Sequence, residues 1–378
     1  NTLYHQGIMR YVQRTWHNTE GDMAVYTSIN DPSAYFHTQL YTGTGSLNSI
    51  TNNANAGNFK PDWLWIKNRS AGWSHILFDS SRGTGKSLMA DSTDAEVTNN
   101  SRGYVSAFGT DGFTVGAGSA GSDQVNTNSQ NYVAWQWKAN GGTTSSNGDG
   151  GVTGTVQANT TAGFSIITYT GTGSASTVGH GLSDTPDWII YKRRSGGTKD
   201  WIVYHIGTGS KGMILNSTSA GDSASSIFGG NTPTSTTIPI GSATETNSSG
   251  ETHIAYAFAQ KQGFSKFGTY PGNGLSNGPY VYTGFKPAWL IIKRTDDTAN
   301  WHMYDNKRDT RNPFETAVKA NGADAEYTTS NKVDFNSNGF KPIGASQTTT
   351  NASGATYIYM AFAESPFVSS AGVPTTAR

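Results

Sequence analysis

No cysteine occurs among the 378 residues, which removes disulfides, thiolate nucleophiles and cysteine-type zinc sites together. Charge is scarce as well. The 26 basic and 26 acidic side chains make up 14% of the chain and cancel to zero. A nucleic-acid binder draws its affinity from Lys and Arg neutralising phosphates, so a neutral chain argues against that class. No run of 18 apolar residues is present, and no segment keeps a 3.6-residue apolar period, so neither a membrane-spanning nor an amphipathic helix is expected. What the chain does hold is 46 Gly and 12% aromatics, among many Thr, Ser and Asn. That mixture suits short β-strands joined by polar turns. The aromatic content with no net charge also separates it from disordered chains.

One tryptophan-centred phrase is written three times: FKPDWLWIKNRS from Phe59, TPDWIIYKRRS from Thr185 and FKPAWLIIKRTD from Phe285. Three more landmarks recur in the same order around it. A tyrosine-glycine turn begins at Tyr41, Tyr169 and Tyr270; an aromatic segment carries Trp73, Trp201 and Trp301; a closing apolar strand starts at Asn131, Thr252 and Thr356. From the phrase's proline to the second tryptophan the offsets are 12, 15 and 14 residues. Repetition at about a hundred residues marks an internal repeat, with insertions falling in loops.

The expected fold is all-β, with three tandem β-sandwich domains. Residues 1–34 form an N-terminal segment, 35–140 the first repeat, 141–163 a flexible linker, 164–260 the second repeat, 261–367 the third, and 368–378 an extended tail. Along Trp63 to Lys67 alternate residues point to opposite faces, and both faces are apolar. Such a strand is central and covered on both sides. The lysines and arginines that follow mark its emergence into solvent. In the closing strands, large residues such as Trp135, Tyr256 and Met360 alternate with Ala134, Ala255 and Ala361, small enough to let a second layer come close.

Candidate chemistry is thin. Arg82 to Ser87 reads RGTGKS, the end of a phosphate-binding loop, but Ser80 stands where that motif needs its first glycine, and a turn is the alternative. His75, His205 and His302 follow the preceding tryptophan by 2, 4 and 1 residues, so they share no geometry on strands, and structural roles are expected. Asp94 with Glu96 and Asp324 with Glu326 are the carboxylates closest to a glycosidase or calcium pattern, against a solvated face. No metal site, cofactor or catalytic residue is assigned. Trp73, Trp201 and Trp301 follow polar loops and are the candidates for stacking on the apolar face of a sugar, whereas Trp63, Trp188 and Trp289 belong in the core. Tyr4, Ile8, Tyr11 and Trp16 give the N-terminal segment the composition of a contact surface, with packing on the first repeat as the alternative.

The phrases YTGTGS, GFKPAWLIIKRTD, FSKFGTYPGNG, TYIYMAFAESPF and GVPTTAR, spread over Tyr35 to Arg378, resemble a family of repeat-containing virion structural proteins of marine bacteriophages, often placed with tail-fibre or lectin-like proteins. The resemblance implies a tail fibre or tail appendage on the external surface of the virion, anchored to the particle through Tyr4, Ile8, Tyr11 and Trp16 of the N-terminal segment and contributing to host-surface glycan adhesion without enzymatic activity. Partners would be other virion subunits, a host polysaccharide and further copies of the chain, a trimer by analogy, with no nucleic acid and no membrane. Two alternatives stand beside it: a capsid decoration or head-fibre protein with a stabilising role, and a glycan-degrading tailspike.

Overall fold

Each repeat is built on one antiparallel sheet with the tryptophan-bearing core strand in its interior. The computed structural model describes residues 26–119, 123–344 and 349–375. Core strands Trp63–Asn68, Trp188–Arg193 and Phe285–Arg294 each lie between a closing strand, respectively Asn131–Trp137, Thr252–Phe258 and Thr356–Pro366, and an outer strand, Ile76–Asp79, Ile202–His205 and His302–Asp305. On the far side of each closing strand runs a first strand, Phe36–Thr42, Phe164–Thr170 or Ser265–Pro271. The described residues are all-β apart from a few single helical turns. In the third repeat the sheet continues through Phe314–Lys319, Tyr327–Asn336 and Gly339–Ile343 to Val281–Tyr282, eight strands in all.

The two faces of the core strand go to different places. Leu64, Ile66 and Ala134 face a second layer of their own repeat, the small sheet of Asn48–Thr51, Tyr104–Gly109 and Gly112–Gly116, through Ile50, Val105, Phe113 and Val115. Ala255 and Ala257 in the second repeat, and Ala361 and Ala363 in the third, have the corresponding places in their own outer clusters. The other face is shared. Trp63, Trp137, Trp188, Phe258, Trp289 and Phe362, from all three repeats, belong to one buried cluster. Trp63 stacks on Tyr256 at 4.4 Å, and Trp137 meets Trp289 edge-on at 5.6 Å, so aromatic contacts join repeat 1 to repeat 2 and to repeat 3.

The recurring tyrosine-glycine turn is a structural clasp. Tyr41, Tyr169 and Tyr270 donate their hydroxyls to the carbonyls of Val125, Thr246 and Thr350. One residue beyond each of those carbonyls, a buried asparagine, Asn126, Asn247 or Asn351, accepts a backbone N–H from the turn and donates its amide back to it. A Cβ at Gly43 would lie 2.1 Å from the Thr127 carbonyl oxygen, which is why the turn takes glycine there.

Three expectations are corrected. Residues 141–163 are not simply a flexible linker: Gly154–Asn159 pairs with the first strand of repeat 2, and Ser145–Asn147 pairs with it in turn, because Val156 and its neighbours can satisfy a ladder that would otherwise end in an edge. The core-strand lysines do not emerge into solvent, since Lys67, Lys192 and Lys293 are fully buried. Residues 368–375 turn back in a small bridge between Val368 and Pro374, with the Ser370 N–H donated to Asn30, rather than running on extended.

Candidate functional site

Strand register places one lysine at the same point of every core strand, and all three lysines reach across a boundary between repeats. Lys192 donates to the carbonyl of Thr93 in repeat 1 at 2.9 Å, Lys293 to Thr218 in repeat 2 at 2.9 Å, and Lys67 to Ala323 in repeat 3 at 2.9 Å. Each also holds a carbonyl of its own repeat: Lys199, Ala299 and Trp73 respectively. The grips run 2 to 1, 3 to 2 and 1 to 3, so the repeats close into a ring. Burial pushes each ammonium down from 10.5 to about 8, with nearby carboxylates such as Asp91, Asp200 and Asp297 opposing the shift.

The same register identifies a second set of contacts between repeats. Asp79, His205 and Asp305 lie opposite Trp63, Trp188 and Trp289. Buried Asp79 pairs with Arg82 and accepts the Tyr256 hydroxyl of repeat 2 at 2.8 Å; buried Asp305 pairs with Arg308 and accepts the Trp135 indole N–H of repeat 1 at 3.1 Å. The third position has neither partner. His205 replaces the aspartate, and Met360 stands where Trp135 and Tyr256 stand in their strands. Acceptor and donor are lost together, which leaves no isolated buried carboxylate there.

Of the carboxylates read as possible catalytic or calcium groups, the two glutamates are tied up at the same boundaries, while Asp94 and Asp324 are more exposed and paired within their own repeats. Glu96 binds Arg194 of repeat 2 and Arg82 of its own repeat; Glu326 binds Arg69 of repeat 1 and Arg308 of its own. Burial pushes Glu96 up, but the hydrogen bond from Arg194 and the charges of Arg82 and Arg194 outweigh it and hold the carboxyl below its usual value. Asp94 pairs with Arg102 and Asp324 with Lys319. Neither glutamate lies on a solvated face. Among the described residues no group of three or more His, Asp or Glu is placed to hold a metal ion.

The sugar-stacking candidates are corrected at two of three positions. Trp201 and Trp301 are completely buried and donate their indole N–H to carbonyls of the preceding repeat, Met89 at 2.7 Å and Ile214 at 2.9 Å, so neither ring has a face for a ligand. The Lys192 and Lys293 ammonium groups lie near their ring faces, at 5.5 and 6.0 Å. Trp73 is half-buried and is not their counterpart. Backbone partners show that His75 is: its N–H goes to Asp91, as those of Trp201 and Trp301 go to Asn216 and Asn321. His75 also accepts the Trp65 indole N–H at 2.8 Å. The three histidines are buried, and desolvation lowers His75 well below its normal range, His205 to about 3 and His302 to about 4. The RGTGKS segment is a turn in which Arg82 is pinned by Asp79 and Glu96. Tyr4, Ile8, Tyr11 and Trp16, the contact-surface residues, lie outside the described residues.

Surface clefts occur on every repeat, and two of them border repeat 3. A cleft of about 450 Å³ is bordered by Tyr26, Tyr282 and Phe367. Another, of about 690 Å³, is bordered by Asn306, Asn312, Asn336 and the Lys286–Glu364 ion pair. Tyr280 and Tyr282 carry a signal in the sequence: between the tyrosine-glycine turn and the core strand, the first and second repeats have no tyrosine.

A family model, described as a domain of unknown function (DUF7483), matches residues 31–366. The chain belongs to this family. The match spans all three repeats, so the family's unit coincides with the ring and not with one repeat. Searches among curated proteins and among solved structures found no match.

Proposed function

We propose that the three repeats are sandwich-like units fused into one rigid display body, and that the chain is a structural component of a tailed-phage virion, in a tail fibre or appendage that contributes to glycan adhesion on the host surface. The observation that carries the structural role is the ring of buried lysine grips. Each grip joins the carbonyls of two repeats, so a repeat cannot shift without leaving buried polar groups unpaired. A body of this kind keeps its loops at fixed separations, and several copies in one assembly would add weak surface contacts through effective concentration. The phage setting and the adhesive role rest on the sequence resemblance.

Purified particles carrying a label on the C-terminal end of the chain test the location. Label on the tail or an appendage supports the reading, label on the head lattice favours the decoration alternative, and absence from the particle overturns it. For the tailspike alternative the assay is incubation with host surface polysaccharide followed by reducing-end measurement. No release is expected; release lost in Asp94→Asn or Asp324→Asn would contradict the non-enzymatic reading.

A further inference from the structure

We propose that the cleft formed by Tyr26, Tyr282 and Phe367 binds a pyranose residue bearing an acidic group. This rests on the adhesive reading above and supplies the site that the buried tryptophans do not. Tyr282 is 60% exposed and Tyr26 48%, in a protein that buries most of its other large aromatic side chains. Exposed rings gathered at one cleft mark a binding surface better than scattered ones do. The cleft's volume, about 450 Å³, lies in the range of small-ligand sites.

Its walls are fixed by distant parts of the chain. Thr27, fully buried beside Tyr26, donates its hydroxyl to the Gln262 carbonyl at 3.0 Å. Gly263, at φ +76°, packs so closely there that a Cβ would lie 2.6 Å from the Thr27 hydroxyl oxygen. Elsewhere in the lining Phe367 donates its N–H to the Gly284 carbonyl at 3.1 Å, and the Thr283 hydroxyl donates to the Phe285 carbonyl at 2.7 Å. The site is therefore assembled before any ligand arrives.

Its chemistry suits an acidic sugar. The rings offer flat apolar faces to the C–H face of a pyranose, and the exposed side chains of Gln260 and Gln262 offer amide donors and acceptors to hydroxyls. Among the described residues, Lys266 is the only charged one lining the cleft, and no described carboxylate lines it. Asp187 feels the charge of Lys266 but is not part of the lining. A cationic ligand would meet an unfavourable field; a uronate would not. The larger cleft nearby lacks this combination, since its aromatic residues, Phe314 and Phe335, are buried.

Calorimetric titration with tri-galacturonate, and with maltotriose as the neutral counterpart, tests the assignment. The acidic probe is expected to bind more tightly and Tyr282→Ala to weaken it by about tenfold. Lys266→Gln should reduce acidic binding by up to about fivefold and leave the neutral probe unchanged. Tyr282→Phe, which keeps the ring, should retain binding, and unchanged thermal unfolding in each variant separates site loss from misfolding. No binding of the acidic probe, or binding indifferent to Tyr282→Ala, overturns the site. Equal binding of both probes with no effect of Lys266→Gln overturns the acidic assignment. These outcomes are independent of where the label falls on the particle, so the cleft can fail while the virion reading stands, and the reverse.

Discussion

At the residue scale, the polar groups buried between repeats govern how stability depends on solution conditions. The Tyr256 hydroxyl donates to an Asp79 already held by Arg82, so Tyr256→Phe removes a bond to a charged acceptor while keeping the buried ring. A loss of about 1.5–3 kcal/mol in denaturant unfolding is expected; a neutral result would mean that the contact contributes nothing. The lysines set an alkaline trend. Their folded value near 8 lies below the ordinary 10.5, so the folded state binds fewer protons than the unfolded state between those values, and stability rises with pH from about 8. Buried tyrosines reverse this above about 10, because burial raises Tyr327 to about 12 and Tyr169 further still. On the acid side His205, near 3, and His253 and His302, near 4, stay neutral in the fold, so the stability present above 6.5 is lost as pH falls. Melting temperature followed from pH 4 to 11 should therefore climb, peak between about 9 and 10, and fall. A maximum at pH 6–7 would contradict it.

At the element scale, the strands were easier to read than their partners. Alternation in WLWIK gave a core strand covered on both faces, and the alanines of the closing strand gave a close second layer; both follow from the two-residue period of a strand. Register did not follow, because landmarks were matched by residue type. Trp73 was aligned with Trp201 and Trp301, whereas the backbone puts His75 in their place. Lys67, Lys192 and Lys293 looked like exit markers because lysine is seldom buried; only the neighbouring repeat's carbonyls explain them. Composition likewise misread 141–163, where glycine and serine concealed a strand. Since Gly154–Asn159 is paired on both edges over part of its length, limited proteolysis should leave that stretch intact. Early cleavage within it would restore the flexible linker. Val156→Pro, which places a residue without an N–H in a strand flanked on both sides, should destabilise by about 1–3 kcal/mol in the same unfolding assay.

At the scale of the whole molecule, the central claim is that three sequence repeats make one folding unit. The shared aromatic cluster draws side chains from all three, and every boundary between repeats carries a lysine grip. A repeat cut out alone would expose its tryptophans and leave its lysine without one acceptor, so residues 164–260 should not fold in isolation. Differential scanning calorimetry of the complete chain is the most direct test. The account predicts one transition over the three repeats, with calorimetric and van't Hoff enthalpies in agreement. Two or three separable transitions, each with the enthalpy of a domain of about a hundred residues, roughly 60–80 kcal/mol, would show independent domains and contradict it.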